Sequence, residues 1–219
     1  MKKLLSILSL AILISSCSDT KERISFDKVT IVDDVYYLKA DMSLVTGIVT
    51  EAWEDGQLMS ERTYKDGEED GLFKFWYENG QLQVEGKYKD GKRDGLAKQW
   101  HSNGQLELEV NYKDGKEDGL GKRWIENGQL RSEQNYKDGE LDGLRKSWHN
   151  NGQLAEESNF KDGKDDGLAK RWHLNGQLQS DFNYKDGKRD GLSKSWHSNG
   201  QLSYEANWKD GKVDGLWKE

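Results

Sequence analysis

Residues 64–87 read YKDGEEDGLFKFWYENGQLQVEGK, and the chain then restarts the same pattern at Tyr88, Tyr112, Tyr136, Phe160, Tyr184 and Trp208 without insertion or deletion. A fixed period of 24 residues marks a repeat architecture, in which each copy buries little alone and is stabilised by stacking on its neighbours. Each copy alternates two strand-like runs with two glycine turns. In the copy from Tyr88 the first run is Leu96-Ala97-Lys98-Gln99-Trp100-His101, followed by Ser102-Asn103-Gly104. An X-Asn-Gly between β-rich segments is a strong hairpin signal. A two-residue Asn103-Gly104 loop would put Trp100 and Leu106 on opposite faces, whereas a three-residue turn with a glycine bulge pairs them on one. The second register is preferred because it gathers Leu96, Trp100, Leu106 and Tyr112 on one side, with Gln105, Glu107, Glu109 and Asn111 on the other. The second turn, Lys113 to Gly119, returns the chain for the next hairpin.

The expected fold is all-β: about seven 24-residue β-hairpins stacked as one elongated twisted antiparallel sheet. With strands about 4.8 Å apart and two per copy, the array should advance roughly 9.6 Å per copy and reach about 70 Å.

Outward from the repeats, positions 40–63 form a degenerate copy, and the array as a whole spans 41–219. Residues 29–40 hold two β-rich runs, Val29-Thr30-Ile31-Val32 and Val35-Tyr36-Tyr37-Leu38, around Asp33-Asp34. They read as a β cap over the first open edge of the array. Residues 17–28 are polar and read as a tether. The first 16 residues carry Lys2 and Lys3, an apolar run from Leu4 to Ile14, and small residues before Cys17, the layout of a secretory signal. Ile14-Ser15-Ser16-Cys17 resembles a bacterial lipobox. Cys17 is the only cysteine, so an intramolecular disulfide is excluded and a thioether to diacylglycerol is its expected fate. Such an anchor holds a chain on a membrane without spanning it. Ser18 after the cysteine, in place of Asp, points to the outer membrane, and Ser18-Asp19 resembles the start of surface-export signals.

The chain carries a net charge of −7, or −9 once residues 1–16 leave with their two lysines. That excludes nucleic acid as the main partner, since nucleic acid requires a basic patch. Composition alone verges on disorder, but nine Trp and nine Tyr fall mostly at fixed places in the repeat.

The units YKDGKRDGLAKQWHSNGQL and YKDGKEDGLGKRWIENGQL resemble the bacterial MORN-repeat variant family, often labelled a YwqK-type antitoxin. The resemblance covers 41–219 and implies stacked antiparallel hairpins in one extended sheet. It also implies an antitoxin or immunity-type role, which an exported lipoprotein would not serve against a cytoplasmic toxin.

The sequence offers no catalytic residues: no serine or cysteine nucleophile stands with a base, and repeated identical carboxylate pairs give no reason for divergent pKa values. The chain therefore reads as non-enzymatic, without cofactor. His101, His149, His173 and His197 share one repeat position about 10 Å apart, too far for a shared metal. Paired aspartates such as Asp90 and Asp94 are explained by turn chemistry without calcium. The row Trp76, Trp100, Trp124, Trp148, Trp172 and Trp196 reads first as core packed on Leu residues, and second, with the histidines, as a binding ladder. Lysines two residues before each Trp read as cover for the aromatic face. The expected function is a protein–protein interaction scaffold of the cell envelope, partnered by another protein or by a copy of itself. A carbohydrate-binding module using the Trp and His ladders is the alternative.

Overall fold

The computed structural model describes residues 21–218; the signal segment, Cys17 and the start of the tether lie outside them. Strands dominate: nineteen form one long sheet and two form a separate hairpin. From β4 (Gly47–Ala52) onward every pairing among the strands is antiparallel, so the sheet is a continuous meander of hairpins.

The preferred turn register is the one found. The Gly104 N–H donates to the His101 carbonyl and the His101 N–H to the Gln105 carbonyl, both at 2.8 Å, and Gly104 has φ +83°. This is the three-residue turn with a left-handed glycine, and Trp100 pairs with Leu106.

The facing pattern beyond the turn differs from expectation. A β-bulge falls between Leu106 and Leu108, after which Leu108 pairs with Gln99, Glu109 with Lys98, Val110 with Ala97 and Tyr112 with Gly95. One extra residue inverts side-chain alternation. Leu96, Lys98, Trp100, Leu106, Glu109 and Asn111 therefore share one face, here the tryptophan face. Ala97, Gln99, Leu108, Val110 and Tyr112 share the other, the tyrosine face. The sequence placed Tyr112 with Trp100 and Glu109 opposite; the bulge exchanges them, and it recurs in every full copy, as between Arg123 and Trp124.

The second turn is also tighter than Lys113 to Gly119. Asp114 (φ 50°) and Gly115 (φ 85°) alone make the loop, with Lys113 facing Lys116. Two successive positive φ values match the right-handed twist of the flanking strands. The remaining irregularity sits at Asp118-Gly119, where the Asp118 N–H bonds the Asn111 carbonyl at 2.9 Å and Gly119 adopts φ +98°.

Residues 23–28, read as tether, are ordered. β1 (Arg23–Ser25) pairs in parallel with β4, Ile24 facing Val49, and Phe26–Lys28 forms a 3-10 turn. It is this short strand, and not the β2 (Val29–Val32) and β3 (Val35–Leu38) hairpin, that covers the edge of β4. The hairpin instead packs at the first Asp-Gly turn: the Tyr36 N–H reaches the Gly67 carbonyl at 3.0 Å, and the Tyr36 and Tyr64 rings lie 4.4 Å apart. Ile24, Val29, Val45, Val49 and Tyr64 are buried there with Tyr36 and Leu38 against them, forming the one apolar cluster of globular type among the described residues. A single-layer sheet needs such a cluster at an end because its hairpins cannot bury much by themselves.

Candidate functional site

Residues that are constant between copies hold the copies together. The His101, His149 and His173 rings reach, through Nε2, the backbone carbonyls of Trp124, Trp172 and Trp196 in the following copy at 3.1, 2.8 and 2.9 Å. A carbonyl only accepts, so each Nε2 carries the proton. Tyr77, at the same place, donates its hydroxyl to the Trp100 carbonyl at 2.8 Å. Where Ile125 stands there, the Arg131 guanidinium takes the Trp148 carbonyl instead. His197 is exposed. The asparagines work twice: Asn103 Oδ1 accepts the Gln105 N–H at 3.0 Å, while its Nδ2 donates to the Glu126 carbonyl of the next copy at 2.8 Å. The aspartates do likewise, Asp166 Oδ2 accepting the Asp186 N–H at 3.2 Å. The histidine ladder is thus a row of clasps between copies. Among the described residues no cluster of three or more His, Cys, Asp or Glu forms a metal site.

The tryptophans are half-buried and each faces a leucine across its hairpin, as Trp148 faces Leu154. They do not form a ring stack: the aromatic pairs among the described residues are Tyr36–Tyr64, Phe73–Phe75 and Phe73–Tyr88. A copy-to-copy step of about 9.6 Å exceeds the 4.5–7 Å at which rings stack. Each lysine two residues before a tryptophan pairs with the acid across the strand, Lys122 with Glu133 and Lys146 with Glu157 at 3.1 Å, Lys170 with Asp181 at 3.7 Å. That row is electrically self-matched, and such partly exposed pairs each contribute under about 1 kcal/mol.

The tyrosine face is different. Its aromatic row (Tyr64, Tyr88, Tyr112, Tyr136, Phe160, Tyr184) is constant, but the positions around it vary from copy to copy. Some of that variation is packing. Across the strand pair, Phe73 faces Gly86, Ala97 faces Val110, Arg145 faces Ser158 and Ala169 faces Phe182, so a large side chain lies over a small one. The close fit at Phe73 leaves a Cβ on Gly86 only 2.6 Å from the ring. Buried residues of this face include Phe73, Ala97, Val110, Ser158, Ser180, Ser193 and Ala206.

The rest of the variation is chemical. Six of the eight arginines stand here, and no lysine does. Arg93 lies over Phe73 at 5.7 Å and Tyr112 at 5.3 Å; Arg189 over Phe182 at 4.0 Å and Trp208 at 5.0 Å; Arg62 over Phe75 at 4.9 Å. A guanidinium stacked on rings is held flat with its donors outward. Two clefts open on this face. One of about 600 Å³ lies between the β2–β3 hairpin and Arg62, Phe73, Tyr88 and Arg93, and one of about 420 Å³ lies at Phe182, Arg189, Tyr204 and Trp208. Burial raises the pKa of Glu69 above the usual carboxylate range, opposed by Arg62 at 3.7 Å. Burial, and then Glu156, raise Asp165, opposed by Arg171 and Arg145. Sequence reasoning missed this face. The available signal was the variability of a few positions inside an otherwise constant unit.

Clasped, in-register hairpins with one constant and one varied face define an open-sheet β-repeat protein, whose surface is set copy by copy. The profile of the MORN repeat variant family matches seven times, at residues 45–66, 69–90, 93–114, 117–138, 141–162, 165–186 and 189–210. The chain belongs to that family, and the first match falls on the copy read as degenerate. No curated protein matches the chain.

Proposed function

We propose that the protein is a non-enzymatic scaffold that presents its tyrosine face to a protein partner. The observation that supports this is the asymmetry between faces: constant residues are occupied in clasps and matched ion pairs, while variation, stacked arginines and clefts gather on one side. A solenoid separates its fold from its recognition in this way. The lipobox motif at Cys17 motivates an anchored, outer-membrane, surface-exposed location in a bacterial envelope, tested by globomycin treatment, fractionation and surface proteolysis; release of a Cys17→Ala chain into the soluble fraction is the expected result. The scaffold role is tested by replacing Gln99, Arg123 and Arg171 together with serine, the residue found at the same repeat position in Ser147 and Ser195. The variant should melt near the parent yet lose its partner, and retained partner binding would overturn the reading.

An antitoxin or immunity role is one form of this scaffold. It predicts that loss of the gene is toxic only beside a toxin gene. The half-exposed tryptophan row supports a second reading, glycan binding, although three of the four histidines counted in it are engaged by backbone carbonyls. Tryptophan fluorescence unmoved by cell-wall fragments would remove it.

A further inference from the structure

The tyrosine face carries one arginine in each of five consecutive copies: Arg93, Arg123, Arg145, Arg171 and Arg189. Arg123, Arg145 and Arg171 fall within two residues of the same place in the unit, and so form a row crossing the strands. Each of these three faces a serine across its hairpin: Ser132, Ser158 and Ser180. Arg123 and Arg171 are exposed and Arg145 is half-buried. Arg145 Nε and Ser158 Oγ are both buried without a hydrogen-bond partner, and Ser158 is 1% exposed. Buried polar groups left open in this way are costly and call for a ligand or water.

Charge segregates in the same way. The face holds six arginines against five carboxylates, Glu51, Glu69, Glu117, Glu156 and Asp165, with the bulged Glu107 also reaching Gln99 at 2.8 Å, in a chain of net charge −7. Among the described residues only Arg62 and Arg171 of this face have ion-pair partners, Glu69 at 3.7 Å and Glu156 at 3.2 Å. On the tryptophan face the six lysines that stand two residues before each tryptophan are already matched across their strands. The absence of lysine on the tyrosine face fits a requirement for flat, two-pronged donors, which is what carboxylates select.

We infer that the tyrosine face binds an acidic polypeptide segment in extended or polyproline conformation, laid across the strands with a carboxylate over each copy. This rests on the scaffold reading above and names its partner class. The spacing supplies the register: copies advance about 9.6 Å, and three residues of a polyproline helix advance about 9.3 Å. Acidic residues at every third position therefore meet successive arginines. Glu156 competes for Arg171 and sets the resting state of the row.

The test uses fluorescein-labelled peptides and fluorescence anisotropy with the full chain. The probes are (Glu-Ala-Pro)5, an isomer with the five Glu clustered at one end, and (Lys-Ala-Pro)5. Binding of the spaced peptide should exceed that of the clustered isomer by about tenfold and weaken with salt, with no binding of the lysine peptide. Arg145→Lys, which keeps the charge but not the fork, should lose about tenfold, and Lys98→Arg on the other face should change nothing. Glu156→Gln should tighten binding by freeing Arg171. Equal binding of spaced and clustered isomers, or indifference to Arg145→Lys, overturns the inference. Displacement of the peptide by a polyuronate with higher affinity assigns the row to an anionic glycan and also overturns it. If no acidic peptide binds but a protein partner still crosslinks through this face, the inference fails while the scaffold reading stands; loss of both removes the scaffold reading as well.

Discussion

The clasp between copies can be cut at His173. Its Nε2–H donates to the Trp196 carbonyl of the next copy at 2.9 Å. His173→Ala removes one hydrogen bond worth about 1 kcal/mol net and leaves a half-buried carbonyl to find water, so the expected loss is about 1–2 kcal/mol. For a folded chain near 200 residues that lowers Tm by about 3–6 °C. Since the bond joins two copies, the loss falls on the coupling between neighbours, and amide exchange should quicken first in the segment from Leu178 to Lys209. Tyr77 holds the equivalent carbonyl with its hydroxyl at 2.8 Å, so His173→Tyr should be near neutral. His197 is exposed and serves as an internal control. Thermal melts with hydrogen-exchange mass spectrometry decide the matter. A His173→Ala chain as stable as the parent, or His173→Tyr as damaging as His173→Ala, would refute the clasp.

Ile125 has no donor and Arg131 holds the Trp148 carbonyl in its place, so Arg131→Ala should cost about 1 kcal/mol in the parent and little in an Ile125→His background, read by a double-mutant cycle. Gly119 has φ +98° and a Cβ there would meet nothing closer than Asn111 Cβ at 3.9 Å, so Gly119→Ala should cost about 1–3 kcal/mol through backbone strain, measured by urea unfolding. Gly86→Ala must displace the Phe73 ring 2.6 Å away and should cost about 1–3 kcal/mol, whereas Gly121→Ala meets only the Tyr136 ring edge at 3.1 Å, at a place where Ala97 and Ala169 stand in other copies, and should cost well under that. The raised pKa of Glu69 means that the folded chain holds this proton more tightly than the unfolded one. The cost of charging it is absent below the ordinary carboxylate range and complete above the raised value, so Glu69→Gln should gain stability relative to the parent as pH rises through that window. Urea melts at pH 4 and pH 7 would contradict this if the difference ran the other way.

The architecture was legible because its signals are local and recur. Asn-Gly and Asp-Gly fix turns by backbone chemistry, and a fixed period forces identical solutions to stack. The tight turn at Ser102-Asn103-Gly104 and its Trp100–Leu106 pairing follow from that alone. The facing pattern was not legible, because the bulge after Leu106 has no residue signature; neither Glu107 nor Leu108 announces an extra residue, yet it moves Tyr112 to the opposite side. The Asp118-Gly119 irregularity was likewise absorbed into a longer turn. Ile24 lay in a polar segment, and one apolar residue carries no period to read; only the open edge of Gly47–Ala52 gives it a place. The histidines looked like a binding ladder because their regularity was visible while the carbonyls they reach, 23 residues on, were not. The tyrosine face was hidden for the opposite reason, since attention to a repeat favours what is constant over what varies.

Adjacent residues Lys98 and Gln99 point to opposite faces of one strand, which permits the most direct measurement. A photo-crosslinking amino acid placed at each in turn, in otherwise identical chains in living cells, compares the two faces within a single strand. Crosslinks to a protein partner from position 99 and none from position 98 are predicted; crosslinks from position 98 alone, or equally from both, would contradict the assignment of recognition to the varied face.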